Sequence, residues 1–169
     1  GSTRVALGNL AAGAGQTQLN RLIGKWLLGT DLPDATVDMS GVAAFTVSYS
    51  APATPLFGAA GPAVTDVNQG YLGDCYFLAA AGERALRDSA AVASMFTDNG
   101  DGSYGVRFYY NGVAEYVTVN DQLANGGTKF NSGAAKWCSL LEKAWAQFQE
   151  INLATGSSAY NSGNSWDTI

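Results

Sequence analysis

Two residues of the 169-residue chain have the types and spacing for acyl-transfer chemistry: Gln69 and, six positions on, Cys75. A thiolate attacks a carbonyl readily, and a side-chain amide turned back toward the sulfur donates to the oxyanion that the attack creates. The stretch around them, QGYLGDCYFLAAAGERAL, bends at Gly70 and Gly73 and then runs apolar through Tyr76, Phe77, Leu78, Ala79, Ala80, Ala81 and Leu86. That pattern predicts a self-burying helix that begins at the cysteine. Unpaired N–H groups and the positive end of the helix dipole favour an anion at such a place. The competing reading of an isolated cysteine in an apolar run is a small core residue. Cys75 and Cys138 are too few for a disulfide framework, and both are expected as free thiols.

The elements that must position these residues follow from periodicity. From Gln16 to Gly29, Leu19, Leu22, Ile23, Trp26 and Leu27 recur at helical spacing, with Arg21 and Lys25 off that stripe and Gly29 placed to end the helix. The simplest role for it is a helix docked on the domain. Phe45, Val47 and Tyr49 alternate with Ala44, Thr46 and Ser48 as a half-buried strand does, and residues 51–62, with three of the four prolines, read as an irregular connector. A short helix is expected over 90–96, then a turn at Asp98-Asn99-Gly100-Asp101-Gly102. The turn fails the EF-hand template, because glycines stand where ligands are needed and no glutamate closes it. Strands over 104–110 and 113–119 flank Asn111-Gly112, a strong hairpin signal. A helix over about 134–151 puts Trp137, Leu140, Leu141, Ala144, Trp145 and Phe148 on one stripe, and Cys138 shares it as a buried, inert thiol. The Ser-, Gly- and Asn-rich tail over 153–167 reads as loop.

The string TDVNQGYLGDCYFLAA, Thr65 to Ala80, resembles without gaps the active-site segment of the calpain-like cysteine proteases, Thr-Asp-Ile/Val-x-Gln-Gly-x-Leu-Gly-Asp-Cys-Trp-Phe/Leu-Leu-Ala-Ala. Tyr76 stands in place of the family's usual tryptophan. YGVRFYY and VTVNDQL are similar to the family's "Tyr-x-Val-Arg-Phe" and "Val-x-Val-Asp-Asp-x-Leu-Pro", with Asn120 for the first aspartate and Ala124 for the proline. WCSLLEKAWAQF resembles its "Phe-Trp-x-x-Leu-Leu-Glu-Lys-Ala-Tyr-Ala" helix. The resemblance runs from about Ala59 to Phe148. It implies Cys75 as nucleophile, Gln69 and the Cys75 N–H as oxyanion donors, a polypeptide substrate, and a second lobe carrying histidine and asparagine. It also implies calcium, held by the carbonyls of Ala59 and Gly61 and by Asp66, with Ala135 where a further acidic ligand is expected. Losing that ligand weakens a site for an ion that takes about six to eight oxygens.

Composition narrows the rest. With 47% hydrophobic residues and mean hydropathy near zero, the chain is long enough for a real core. A net charge of -5 with 9 Lys plus Arg leaves no basic patch for nucleic acid or for an anionic membrane surface. No apolar run has the length of a membrane span, and the start has no signal-peptide pattern. Gly1-Ser2 reads as a cloning remnant; few charges with abundant Gly, Ala, Ser, Thr and Asn suggest a bacterial, exported protein, and the compartment stays open. The chain has no histidine. In papain-like folds the histidine and asparagine follow the cysteine by about 130 to 150 residues, and only 94 residues follow Cys75. The expectation is an α+β fold: a calpain-like N-terminal catalytic subdomain with a central helix starting at Cys75, packed helices and a small antiparallel hairpin. Residues 1–54 form an N-terminal extension, and 55–169 a first lobe that is a half-enzyme, inactive alone. The alternative is a non-catalytic, protease-derived binding or assembly module.

Overall fold

A computed structural model of the chain describes residues 13, 15–33, 35–37, 43–125 and 133–152. The tail expected as loop and Gly1-Ser2 lie outside the described residues. In chain order the elements are helix α1 (Gln16–Ile23), a π-turn segment (Gly24–Leu28), strands β1 (Thr36–Val37), β2 (Phe45–Thr46) and β3 (Ser48–Ser50), and a 3₁₀ turn (Val64–Asp66). Helices α2 (Cys75–Arg87) and α3 (Ser89–Ala93) follow, then strands β4 (Phe96–Asp98), β5 (Ser103–Tyr110), β6 (Val113–Asn120) and β7 (Leu123–Asn125), and helix α4 (Trp137–Asn152). The α+β architecture agrees with expectation.

Asn111 and Gly112 both adopt positive φ, 51° and 77°, the conformation a two-residue hairpin turn requires, and they set Tyr110 opposite Val113. Alternation then sends Tyr104, Val106 and Phe108 of β5, and Val117 and Val119 of β6, into the core. The sheet has three strands rather than the expected two. Phe96, expected as the end of a helix, and Asp98, expected as the start of a turn, lie instead on a strand, Phe96–Asp98, that pairs antiparallel with β5 as β4, because α3 stops at Ala93. The turn between β4 and β5 is a plain one: Asp98 accepts the Gly100 N–H, and Asp101 accepts both the hydroxyl and the N–H of Ser103, which hold its carboxyl below the ordinary range.

Helix α4 crosses the inner face of this sheet. Trp137, Leu140, Leu141, Ala144 and Phe148 are buried as the stripe predicts, and Cys138 has no accessible surface. Each large apolar side chain so buried contributes about 1.5–3 kcal/mol. The α2 helix buries Leu78, Ala81, Gly82 and Ala85 against the same core, whereas Tyr76 and Leu86, expected to bury, are exposed.

The N-terminal helix departs further from its expected stripe. It converts at Gly24 to a π-turn, which rotates the following residues, so Leu27 and Leu28 are exposed while Lys25 is 1% exposed and paired with Asp31 at 3.3 Å; Leu19, ahead of the turn, is exposed as well. Gly29 ends the segment as expected. Its φ of 64° is left-handed, and a Cβ there would lie 2.4 Å from the Val119 carbonyl carbon, so β6 approaches too closely for any side chain. The Gly29 carbonyl accepts the Asn120 N–H, Thr118 Oγ1 donates to the Trp26 carbonyl, and Gln147 Nε2 donates to that of Lys25. These bonds seat the N-terminal segment on β6 and α4. Val47 is buried between half-buried Phe45 and Tyr49, as the alternation predicts, and β3 pairs with β7.

Candidate active site

Helix α2 starts at Cys75, as expected, and the thiol is exposed. Asp74 precedes it as the N-cap, and its carbonyl accepts the N–H groups of Phe77 and Leu78 at 2.9 and 3.0 Å. Gln69 lies in the loop leading to the helix. Its Nε2 donates to the Leu72 carbonyl at 3.0 Å, which ties the amide to the turn before the thiol. An amide nitrogen carries two N–H groups, so this tether leaves the other one for a ligand. Gln69 and Cys75 line one cleft of about 500 Å³, whose walls include Val64, Val67, Ala79 and Gly82. The two residues singled out by sequence therefore share a cavity. What this arrangement can do is deliver a thiolate and an N–H donor to the same carbonyl group.

Tyr76 is fixed from the far helix. Its hydroxyl oxygen accepts from Trp145 Nε1 at 3.1 Å and from Gln149 Nε2 at 3.3 Å. Trp145 in turn stacks on Phe77, with centroids 4.6 Å apart and 8° between planes, and on Phe148 at 5.3 Å. The residue after Cys75 is thus tied to α4 by a hydroxyl–indole bond. Tyr76 stands where the resembling motif has tryptophan, and Trp145 where its helix has tyrosine, so the two aromatics have traded places.

The residues considered for calcium do other work. Asp66 Oδ2 accepts the Ala63 N–H at 2.9 Å and the buried Trp137 indole N–H at 2.7 Å. Ala59 and Gly61 lie in a loop closed by the Gly61 N–H on the Gly58 carbonyl, and Ala135 is buried and offers no carboxylate. Among the described residues no group of three His, Cys, Asp or Glu gathers as a metal site. Two carbonyls and one carboxylate that already accepts two N–H donors supply fewer than the about six oxygens the ion takes, so water would have to fill most of its shell.

Sequence periodicity missed a set of buried polar groups. Asp74, Glu142, Lys143 and Gln147 are all at most 1% exposed. Lys143 Nζ donates to the Asn120 carbonyl, Asn120 Oδ1 and the Gln122 carbonyl at 3.0, 2.6 and 2.8 Å. Burial pushes its pKa down to about 7, while the nearby Asp121 charge resists. Three acceptors match the three N–H groups of the ammonium form. Burial pushes the Asp74 carboxyl up, against the pull of a hydrogen bond with Glu142.

Comparison with known proteins gives a consistent picture. The family model described as calpain family cysteine protease matches residues 46–162. The chain is 36% identical over 92 residues to calpain clp-1 of Caenorhabditis elegans, covering 48% of this chain and 12% of that protein. It is 35% identical over 103 residues to the chicken (Gallus gallus) calpain-2 catalytic subunit, covering 55% and 15%. It is 33% identical over 121 residues to the human (Homo sapiens) calpain-2 catalytic subunit, covering 66% and 17%. The chain therefore spans less than a fifth of these relatives' length.

Proposed function

The chain belongs to the calpain family of cysteine proteases, and from that premise we propose that it supplies the nucleophile and the oxyanion donor of a thiol peptidase acting on polypeptides. In this reading Cys75 Sγ, as thiolate, bonds to the scissile carbonyl carbon while the carbonyl π electrons move onto oxygen. The second Gln69 N–H and the Cys75 backbone N–H donate to that oxygen. Collapse of the intermediate breaks the C–N bond, and the departing amine takes a proton from the group that first accepted the thiol proton. No histidine occurs in the 169 residues, so we assign that proton carrier, with its orienting asparagine, to a second lobe outside them. Residues 55–169 form the first lobe of this core, with 1–54 as its N-terminal extension. Calcium is assigned no step.

The observation that carries the reading is the exposed Cys75 at the start of α2 with Gln69 in the same cleft. The test uses the complete parent enzyme and a fluorogenic peptide. Cys75→Ser should abolish turnover, and Gln69→Ala should cut kcat by about 10²- to 10³-fold, the usual effect of losing one oxyanion donor. Full activity in Cys75→Ser would remove the cysteine from the mechanism. A correctly folded parent with no peptidase activity would instead support a protease-derived binding or assembly module.

A further inference from the structure

An aspartate at a helix N-cap ordinarily turns its carboxylate back to accept an N–H of the first turn. Asp74 does not: its side chain makes no cap hydrogen bond and is 0% exposed, turned instead into the protein. Both of its carboxyl oxygens are shielded from solvent, and neither receives an N–H or O–H donor. The group it meets is the carboxyl of Glu142 on α4, itself 1% exposed. Two ionised carboxyls only accept hydrogen bonds, and two negative charges side by side in a buried site repel strongly. One proton between them turns that repulsion into an O–H···O⁻ bond, the short and strong kind.

We propose that Asp74 and Glu142 share one proton, and that this buried carboxyl–carboxylate pair seats the first turn of α2, and with it Cys75, on α4. Charged groups on the other elements have partners of their own. On the N-terminal segment Lys25 pairs with Asp31, and on α4 Lys143 is caged by Asn120 and Gln122. Lys136, just ahead of α4, pairs with Asp121, and Glu115 is buried on β6. Asp66 of the 3₁₀ turn holds Trp137; Arg84 and Arg87 of α2 pair with Asp88 and Glu83 at the surface. Burial raises the affinity of Asp74 for its proton, in the direction the shared arrangement needs. The shared proton also leaves one negative charge rather than two beside the place where the Cys75 thiolate forms. Drawing the Asp74 side chain into the core directs the next residue outward, which makes Asp74 and Glu142 positioning residues.

The pair itself stands on the buried geometry; its consequence for Cys75 rests on the proteolytic reading, so proton and thiol are read separately and without a peptide substrate. Infrared spectra of the 169-residue chain at neutral pH should show a protonated-carboxyl carbonyl band that disappears in both Asp74→Asn and Glu142→Gln. Each amide keeps an N–H donor for the remaining carboxylate, so both variants should fold. A group that holds its proton more tightly when folded contributes stability that is complete below about pH 4 and lost as pH rises through the raised value. Relative to either variant, the wild-type unfolding constant should therefore rise by up to about tenfold per pH unit across that window. No such band in the wild type, or its survival in either variant, overturns the shared proton; the wild-type spectrum decides even if a variant fails to fold. For the thiol, the pH profile of Cys75 alkylation should carry an inflection that Glu142→Gln removes. Identical profiles in wild type and variant overturn the positioning role.

Discussion

Cys75 is exposed at a helix start and Cys138 has no accessible surface, so iodoacetamide separates a cleft thiol from a core thiol in one experiment. Labelling of Cys138 must wait for an opening of the core that costs about 3 kcal/mol or more, so Cys75 should react at least about 10²-fold faster. Comparable rates, read by mass spectrometry of the folded chain, would place Cys75 in the core-residue class. Asp66 carries a second residue-scale consequence. Because its Oδ2 holds both the Ala63 N–H and the Trp137 indole, Asp66→Ala leaves two donors without their acceptor and should cost about 1–3 kcal/mol. That loss should be the same with calcium and with chelator, measured as a shift in Tm. A loss confined to calcium-containing buffer would show that the carboxylate serves an ion before it serves the fold.

Between elements, the tie that matters most to the site joins α2 to α4 through Tyr76 and Trp145. Exchanging Tyr76→Trp alone leaves two indoles, which both donate and cannot bond; Trp145→Tyr alone leaves two phenols in place of a fitted stack. Each single variant should lose about 0.5–2 kcal/mol, and the double exchange should recover part of it, giving a coupling of about 0.5 kcal/mol or more in urea denaturation. Strict additivity would mean that the traded aromatics do not compensate one another. The same element scale shows what the sequence could tell. Asn111-Gly112, the α4 stripe and the start of α2 at Cys75 are legible because each depends on nearby residues: a positive-φ turn, a 3.6-residue period, a glycine-bent approach. Strand β4 was not, since three residues after a short helix have no period of their own and become a strand only by pairing with β5. The burial of Lys25, Asp74, Glu142 and Lys143 was not legible either. A period marks polar positions as solvent-facing, and only tertiary partners such as Asp31 and the Asn120 and Gln122 carbonyls make their burial tolerable. Gln69 and Cys75 were readable as a pair from their residue types, but the Leu72 tether that orients the amide is a property of the folded loop.

For the molecule as a whole, the decisive fact is that Cys75 and Gln69, the proposed nucleophile and oxyanion donor, share a cleft in a chain without histidine. Cysteine protease chemistry needs one group to take the thiol proton and return it to the leaving amine, and at neutral pH imidazole is the side chain suited to both halves of that cycle. Glu83 also lines the cleft, but its carboxylate is engaged with Arg87. Groups that act as a unit lose nearly all of their effect when one is missing, so Cys75 and Gln69 alone should retain almost none of the rate. The 169-residue chain by itself should therefore leave casein and fluorogenic peptides intact. Supplying the second lobe that we propose for its parent, joined or as a separate chain, should restore cleavage that depends on Cys75, with the Cys75→Ser pair as the control. Turnover by the lone chain that disappears in Cys75→Ser would overturn this division of labour and require a base among the carboxylates of the cleft itself.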